Sequence, residues 1–401
     1  MLSSKNSRTV AKKMGLVHFL LESQFWFPIW VLFLLERDFT LSQIVIADMV
    51  FRSSIVIMEF PLGVLGDKIG RRKTYFLGAL FAALTYSLLI ITTNFLLLIL
   101  CWILWAFFWS LISGTNVAYR YELLAAETTG RNDIKIFGYF NSIAAVALLI
   151  SHSSAGYLYS IIPSLPIWLN VIFSALAALL ILSLPSVNIN YTKTSPLSTK
   201  EMVKSFKLLL QKNSGVIPLI LILALWTAYH WTPTLIFQPL LKELGLPNSS
   251  FGIVFALFTG MGIISGIITS RLAEFFGKFK IIIVGLILQV MAISLTAFGN
   301  QIFLILAGII FLRFAFYLCE PILTVLLNRQ LSDGIRASII SLVNLVASLI
   351  MIFSRPLIGL VASNYTIITG FKIWFFTGIV FLLISGYLLW TVQNKTSQFN
   401  N

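Results

Sequence analysis

Seven ionisable side chains interrupt long apolar stretches of this 401-residue sequence: Glu22, Asp48, Arg52, Glu59, Arg313, Glu320 and Arg355. Each stretch is long enough to cross a lipid bilayer, where a charge is costly unless it is paired or used. Such charges bind substrates, carry protons or form ion pairs between helices. All seven are therefore candidate functional residues.

Glu22 is followed by Trp26 and Trp30 at intervals of four residues, which predicts one shared helix face. An acid beside two indole rings suits an apolar or cationic substrate, through stacking and cation–π attraction. Burial would favour the protonated form of Glu22, as a proton-coupling site requires. The alternative is a packed aromatic stripe beside a buried, protonated glutamic acid.

Arg313, Tyr317 and Glu320 are spaced by four and three residues, so they also share a helix face. Arg313 is predicted near the bilayer centre, where an unpaired charge is least tolerated. We expect it to pair with Glu320, with Glu22 or with an anionic group of a substrate. A substrate or coupling role and a purely structural pair are the two interpretations.

Asp48 and Arg52 lie four residues apart, towards the outer end of the second predicted span, and Arg355 lies at a similar depth in the eleventh. We predict an extracellular gate in which Asp48 bridges to Arg355. The alternative is an Asp48–Arg52 pair within one helix.

The remaining reactive residue types give no sign of catalysis. Cys101 and Cys319 fall within predicted spans and are expected to be small core residues, and His152 and His230 are expected mainly to pack. The sequence has no nucleophile motif, phosphate loop or metal-spaced cluster. We therefore predict no catalytic residues, no metal and no cofactor, with a proton gradient as the driving force.

The composition predicts that membrane-spanning helices carry these residues. Hydrophobic residues make up 58% of the chain and charged residues 10%, too little charge to cover a soluble surface. A span needs about 20 apolar residues, and the chain has room for twelve. We place them at 14–35, 43–66, 74–93, 95–119, 136–161, 166–185, 216–238, 251–270, 281–299, 302–326, 338–361 and 373–392.

The net charge of +14 is explained by topology. With the N-terminus in the cytoplasm, 22 of the 28 Lys and Arg residues fall on inner segments and three on outer loops. This is the positive-inside asymmetry of membrane proteins. It predicts cytoplasmic N- and C-termini, and it leaves no reason to expect nucleic-acid binding.

An internal repeat divides the chain into a six-span half at 1–185, a cytoplasmic loop at 186–215 and a second six-span half at 216–401. Shifting residues 63–73 by 207 positions aligns Asp67 with Glu274 and Gly70 with Gly277. Arg131 and Arg336, each placed in the loop after the fourth span of its half, differ by 205. Six is an even number, so both halves enter the membrane from the same side, and such repeats place a substrate site between them.

The basic stretch at 199–211 is either an amphipathic surface helix or a plain tether.

Residues 63–73, between the second and third spans, hold one acid among glycines and basic residues. Gly63 and Gly66 permit close helix packing, and Gly70 permits a tight turn. Asp67 lies at the unfavourable C-terminal end of its helix, so it needs compensation by Arg71, by Arg131 or by the N-terminus of span eleven. Such an acid would latch the cytoplasmic side shut.

This loop resembles the signature of the major facilitator superfamily, and residues 59–61, 113–114, 121–122, 327–328 and 336–341 resemble its bacterial multidrug and macrolide-efflux type. The resemblance implies an all-α membrane protein of twelve transmembrane helices in two pseudo-symmetric halves. Gly63, Asp67, Gly70 and Arg71 match the family motif position by position. Span five, 143–156, lacks the Gly-Pro motif that is usual in proton-coupled drug antiporters of the family.

The resemblance implies a secondary active transporter of the cell membrane, monomeric, with a small-molecule substrate. The resemblance also implies proton-coupled efflux by rocker-switch alternating access. Aromatic residues make up 14% of the chain and charged residues 10%, which favours a hydrophobic or amphipathic compound over a sugar as the substrate. Uptake or symport of a small anionic or polar metabolite, drawn by Arg313, is the alternative. A non-transporting membrane receptor is a remote one, because the outer loops are short.

Overall fold

The computed structural model describes residues 4–125, 133–186, 215–331 and 333–398, and every regular element in these ranges is a helix. The earlier helices are α1 (Ser4–Glu22), α2 (Trp30–Leu35), α3 (Leu41–Ile69), α4 (Arg71–Ile91), α5 (Phe95–Ala125), α6 (Asp133–Ile161) and α7 (Leu165–Leu182). The later ones are α8 (Val216–Trp231), a 3-10 helix (Pro233–Ile236), α9 (Phe237–Glu243), α10 (Asn248–Phe276), α11 (Lys278–Phe298), α12 (Ile302–Arg329), α13 (Asp333–Asn364) and α14 (Ile367–Gln398). Residues 187–214 of the predicted central loop, including the 199–211 segment, lie outside the described residues, as does Arg131.

Eleven helical segments of the described chain are long and apolar enough to cross a membrane, and they correspond to predicted spans two to twelve. The first predicted span, 14–35, is divided between α1 and α2 by a break at 23–29. Pro28 lies in this break, has no backbone N–H to donate, and its ring clashes with a helical carbonyl four residues earlier. The predicted continuous helix through Glu22, Trp26 and Trp30 is therefore wrong.

The predicted duplication is visible in the helix bounds. Helices α3 and α4 contain 29 and 21 residues, and so do α10 and α11, which begin 207 residues later. Each pair is joined by one glycine with positive φ, 89° at Gly70 and 87° at Gly277. Residues with a Cβ rarely adopt this conformation, so the repeated glycines are required by the turn.

The chain forms two compact units, Met1–Ile189 with Leu241–Ala256, and Asn190–Leu240 with Leu257–Asn401. The prediction assigned 241–256 to the second half, whereas this segment packs within the first unit. A Cβ on Gly252 would lie 2.5 Å from the carbonyl oxygen of His152 and 2.8 Å from the amide nitrogen of Gly156, so the glycines let α10 meet α6 backbone to backbone. Lys242 Nζ also lies 3.1 Å from Glu36 Oε1.

Candidate functional site

The first unit holds an acid, a histidine and an arginine at the end of α1. His18 lies one turn before Glu22, with its Nδ1 3.6 Å from Glu22 Oε1. Arg120, from α5, places Nη1 3.3 Å from His18 Nε2. Because a guanidinium only donates hydrogen bonds, Nε2 accepts and the imidazole is neutral. This arrangement leaves the Glu22 carboxylate, 30% exposed, as the group able to bind a proton or a cation.

Trp26 and Trp30 pack in an aromatic cluster of the first unit, and each is 8% exposed. The Trp26 ring centroid lies 5.1 Å from that of Trp105, 5.7 Å from that of Tyr86 and 5.9 Å from that of Trp30. This packing holds the broken segment in place directly after Glu22.

Side chains from α6 and α7 satisfy the backbone of the break. Asn170 accepts from Trp26 N at 3.0 Å and donates to Ser23 O at 2.5 Å. Ser151 accepts from Gln24 N at 3.0 Å. Unpaired backbone groups inside a membrane are costly, so these contacts are what permit the break.

The second unit has an equivalent break, 205 residues later. Trp26-Phe27-Pro28 corresponds to Trp231-Thr232-Pro233, where α8 gives way to the 3-10 helix. Arg355 on α13 donates from Nη2 to Trp231 O at 2.7 Å and to Thr234 Oγ1 at 3.2 Å. The Trp-x-Pro pairs were the sequence signal for both breaks, and sequence reasoning missed them.

Arg313 is buried in the second unit, with 8% of its surface exposed. Its Nη1 lies 3.2 Å from His230 Nε2, so this imidazole is also a neutral acceptor. Its guanidinium carbon lies 4.5 Å from the Tyr317 ring centroid and 4.8 Å from those of Trp231 and Phe258. The predicted shared face of Arg313 and Tyr317 is confirmed by this stacking.

Glu320, one of the predicted partners of Arg313, bonds elsewhere. Its Oε1 accepts a hydrogen bond from Thr324 at 3.1 Å. Among the described residues of this unit, no carboxylate lies within ion-pair distance of Arg313. The predicted Glu320 pair is therefore wrong, because the acid is satisfied one turn further along its own helix.

The gate candidates lie in different units, and the Asp48–Arg355 bridge stays a prediction. Asp48 is buried on α3, and Arg52 lies with its guanidinium carbon 5.4 Å from the Phe51 ring centroid. Arg355 is 4% exposed and supports the second break.

The signature residues lie where α3 passes into α4. Gly63 is exposed, whereas Gly66 is buried, with Thr74 Cγ2 3.2 Å from the position of an ideal Cβ. Asp67 lies in the last turn of α3, and Arg71 begins α4. Arg336 was predicted in a loop, but α13 begins at Asp333 and includes it.

The described residues contain no group of three His, Cys, Asp or Glu that could hold a metal ion. Both cysteines are buried and free of disulfides. Of the partners found here, His18 had a sequence signal, four residues before Glu22, whereas Arg120 was counted only as a cytoplasmic charge.

Comparisons with known proteins agree on one family. The sequence profile described as Major Facilitator Superfamily matches residues 14–239 and 219–401. An uncharacterised MFS-type transporter of Bacillus subtilis (strain 168), YxaM, is 26% identical over 377 residues, covering 92% of this chain and 91% of the relative. The crystal structure of the nucleoside transporter NupG has a TM-score of 0.77 at 15% identity and covers 96% of this chain and 99% of its own. A D-xylose–proton symporter has a TM-score of 0.75 at 14% identity, covering 96% and 97%.

Proposed function

Because the chain belongs to the Major Facilitator Superfamily and is a multi-pass membrane transporter, not an enzyme, we propose that it couples transport of a hydrophobic or amphipathic small molecule to the proton gradient. Secondary active transport by alternating access between two repeats is the expected mechanism. Export across the cell membrane, cytoplasmic termini and a monomeric state are parts of this proposal. They are supported by the positive-inside asymmetry and by the resemblance to efflux proteins.

The observation that carries the proposal is the Glu22 site. The carboxylate is 30% exposed, ends a helix and lies beside the neutral His18. A coupling acid must exchange its proton while it remains in a mostly apolar environment, which a partly exposed carboxylate at a helix break can do. Arg120, which donates to His18, keeps this imidazole a neutral acceptor, so Glu22 is the acid of this group of three side chains.

The test is proton movement in vesicles that contain the purified protein and an internal pH-sensitive dye. Cationic, neutral and anionic amphipathic compounds are added in turn, with a sugar and a small hydrophilic anion as the hydrophilic comparisons. We expect an amphipathic compound to drive proton release in the wild type and not in Glu22→Gln. Glu243→Gln removes an exposed acid of the same unit and is expected to behave as the wild type. Coupling that persists in Glu22→Gln would exclude Glu22 as the coupling acid.

One observation favours a second candidate, uptake or symport of a small anionic metabolite. Arg313 is buried beside neutral groups of its own unit, and a buried cation of this kind attracts an anion. The panel separates the two candidates, because a small hydrophilic anion would then drive proton movement and the amphipathic compounds would not.

A further inference from the structure

We infer that Arg313 and the rings around it form a binding site for the carboxylate of an amphipathic organic anion. The inference rests on the proposed transport function and names the charge of its substrate. It depends on three features of the second unit: the unsatisfied donors of Arg313, the neutral partner that it holds, and the aromatic walls.

Most of the hydrogen-bonding capacity of Arg313 is unused among the residues that the structure describes. A guanidinium carries five N–H donors, and the contact of Nη1 with His230 satisfies one of them. Nε is buried and has no hydrogen-bond partner among the described residues. The side of the guanidinium that carries Nε can therefore present a fork to a carboxylate, the geometry in which arginine binds carboxylates most strongly.

His230 is a weaker partner for the Arg313 guanidinium than an anion would be. It is fully buried and accepts one hydrogen bond through Nε2. A neutral imidazole cannot offset the charge of Arg313, whereas a carboxylate can do so with two charge-assisted hydrogen bonds. We therefore assign His230 as a positioning residue that holds the guanidinium while no anion is bound.

The surroundings select an anion with an apolar body. Trp231, Phe258 and Tyr317 lie around the guanidinium, and Phe316 stacks on His230 with its ring centroid at 4.2 Å. Such walls favour aromatic or aliphatic groups over hydroxyl-rich ones, because buried polar groups need hydrogen-bond partners. A single arginine also matches one carboxylate better than a dianion, whose second charge would stay uncompensated.

Direct binding to the detergent-purified full chain tests the inference without requiring transport. Benzoate, benzamide and benzyltrimethylammonium share a ring and differ in charge, and their binding is followed by calorimetry and by ligand-induced shifts in thermal unfolding. We expect benzoate alone to bind. Its affinity should fall about 10- to 100-fold in Arg313→Gln, as expected for the loss of hydrogen bonds to a charged group. Lys372→Gln removes an exposed cation of the same unit and is expected to leave the affinity unchanged.

Two further variants keep the test decisive if Arg313→Gln does not fold. Arg313→Lys keeps the charge without the fork, and it should bind benzoate more weakly than the wild type. His230→Leu should unfold at a lower temperature without ligand and should gain a larger shift from benzoate, since the anion then replaces the partner that Nη1 has among the described residues. Equal binding of the three probes, or benzoate binding unchanged in Arg313→Lys and Arg313→Gln, would overturn the inference. Transport of cations in vesicles without benzoate binding would overturn it while leaving the proposed transport function intact.

Discussion

The two units break their first membrane helix at the same place in the repeat and support the break in different ways. In the first unit, the uncharged Asn170 and Ser151 satisfy the free backbone groups. In the second, Arg355 performs this role, and Ser354 bonds to Thr232 at 2.8 Å. Both copies of the Trp-x-Pro motif therefore end a helix, while the side chains that support the break differ in charge.

The two units also differ in the charged side chains near the breaks. Each unit pairs an arginine with a neutral histidine, Arg120 with His18 at 3.3 Å and Arg313 with His230 at 3.2 Å. Among the described residues, only the first pair has an acid next to it, Glu22. The first unit therefore holds a carboxylate beside its Arg–His pair and the second unit does not, and this difference is the basis of the roles that we propose for Glu22 and Arg313.

The largest effect on stability is expected at Asn170. Replacing it with Ala leaves the Trp26 N–H and the Ser23 carbonyl without their buried partner, at about 1 to 3 kcal/mol for each group. We expect the free energy of unfolding, measured in detergent, to fall by the sum of both. Asn300→Ala, at an exposed position, provides the control. A loss no larger than that of the control would show that the first break does not depend on this side chain.

A smaller loss is expected for Arg355→Gln in the second unit. Glutamine keeps an amide group that can still donate, and the contact between Thr232 and Ser354 remains, so we expect a decrease of about 2 kcal/mol in unfolding free energy. If this variant lost more stability than Asn170→Ala, the break in the second unit would be the more dependent of the two on a single side chain.

The smallest effect is expected for Ser151→Ala, which removes one hydrogen bond to the break, from the Gln24 N–H, and a longer one to Leu148 O within α6. We predict a loss of about 1 kcal/mol, measured by the same unfolding experiment. Asn170 bonds to two backbone groups of the break and Ser151 to one. The ratio of the losses of unfolding free energy in Asn170→Ala and Ser151→Ala therefore measures how much each side chain stabilises the first break. An equal loss in both variants would contradict this division.

Much of the fold was predictable because membrane spans are set by length and apolarity. The Gly70 turn and its repeat at Gly277 followed from glycines beside charged residues. The break at Pro28 was missed because the apolar run continues through it, and the compensating groups, such as Asn170, come from distant parts of the chain. The Arg313–Tyr317 contact followed from helical spacing, whereas the His230 contact required the tertiary structure.

One experiment tests the central claim that Glu22 couples protons while Arg313 selects the substrate. Vesicles that contain the wild type, Glu22→Gln or Arg313→Gln are assayed for benzoate-driven proton movement and for exchange of labelled benzoate across the membrane. The account predicts that Glu22→Gln loses proton movement but retains exchange, because binding and alternation need no coupling acid. Arg313→Gln is predicted to lose both. Proton movement that persists in Glu22→Gln would contradict the account.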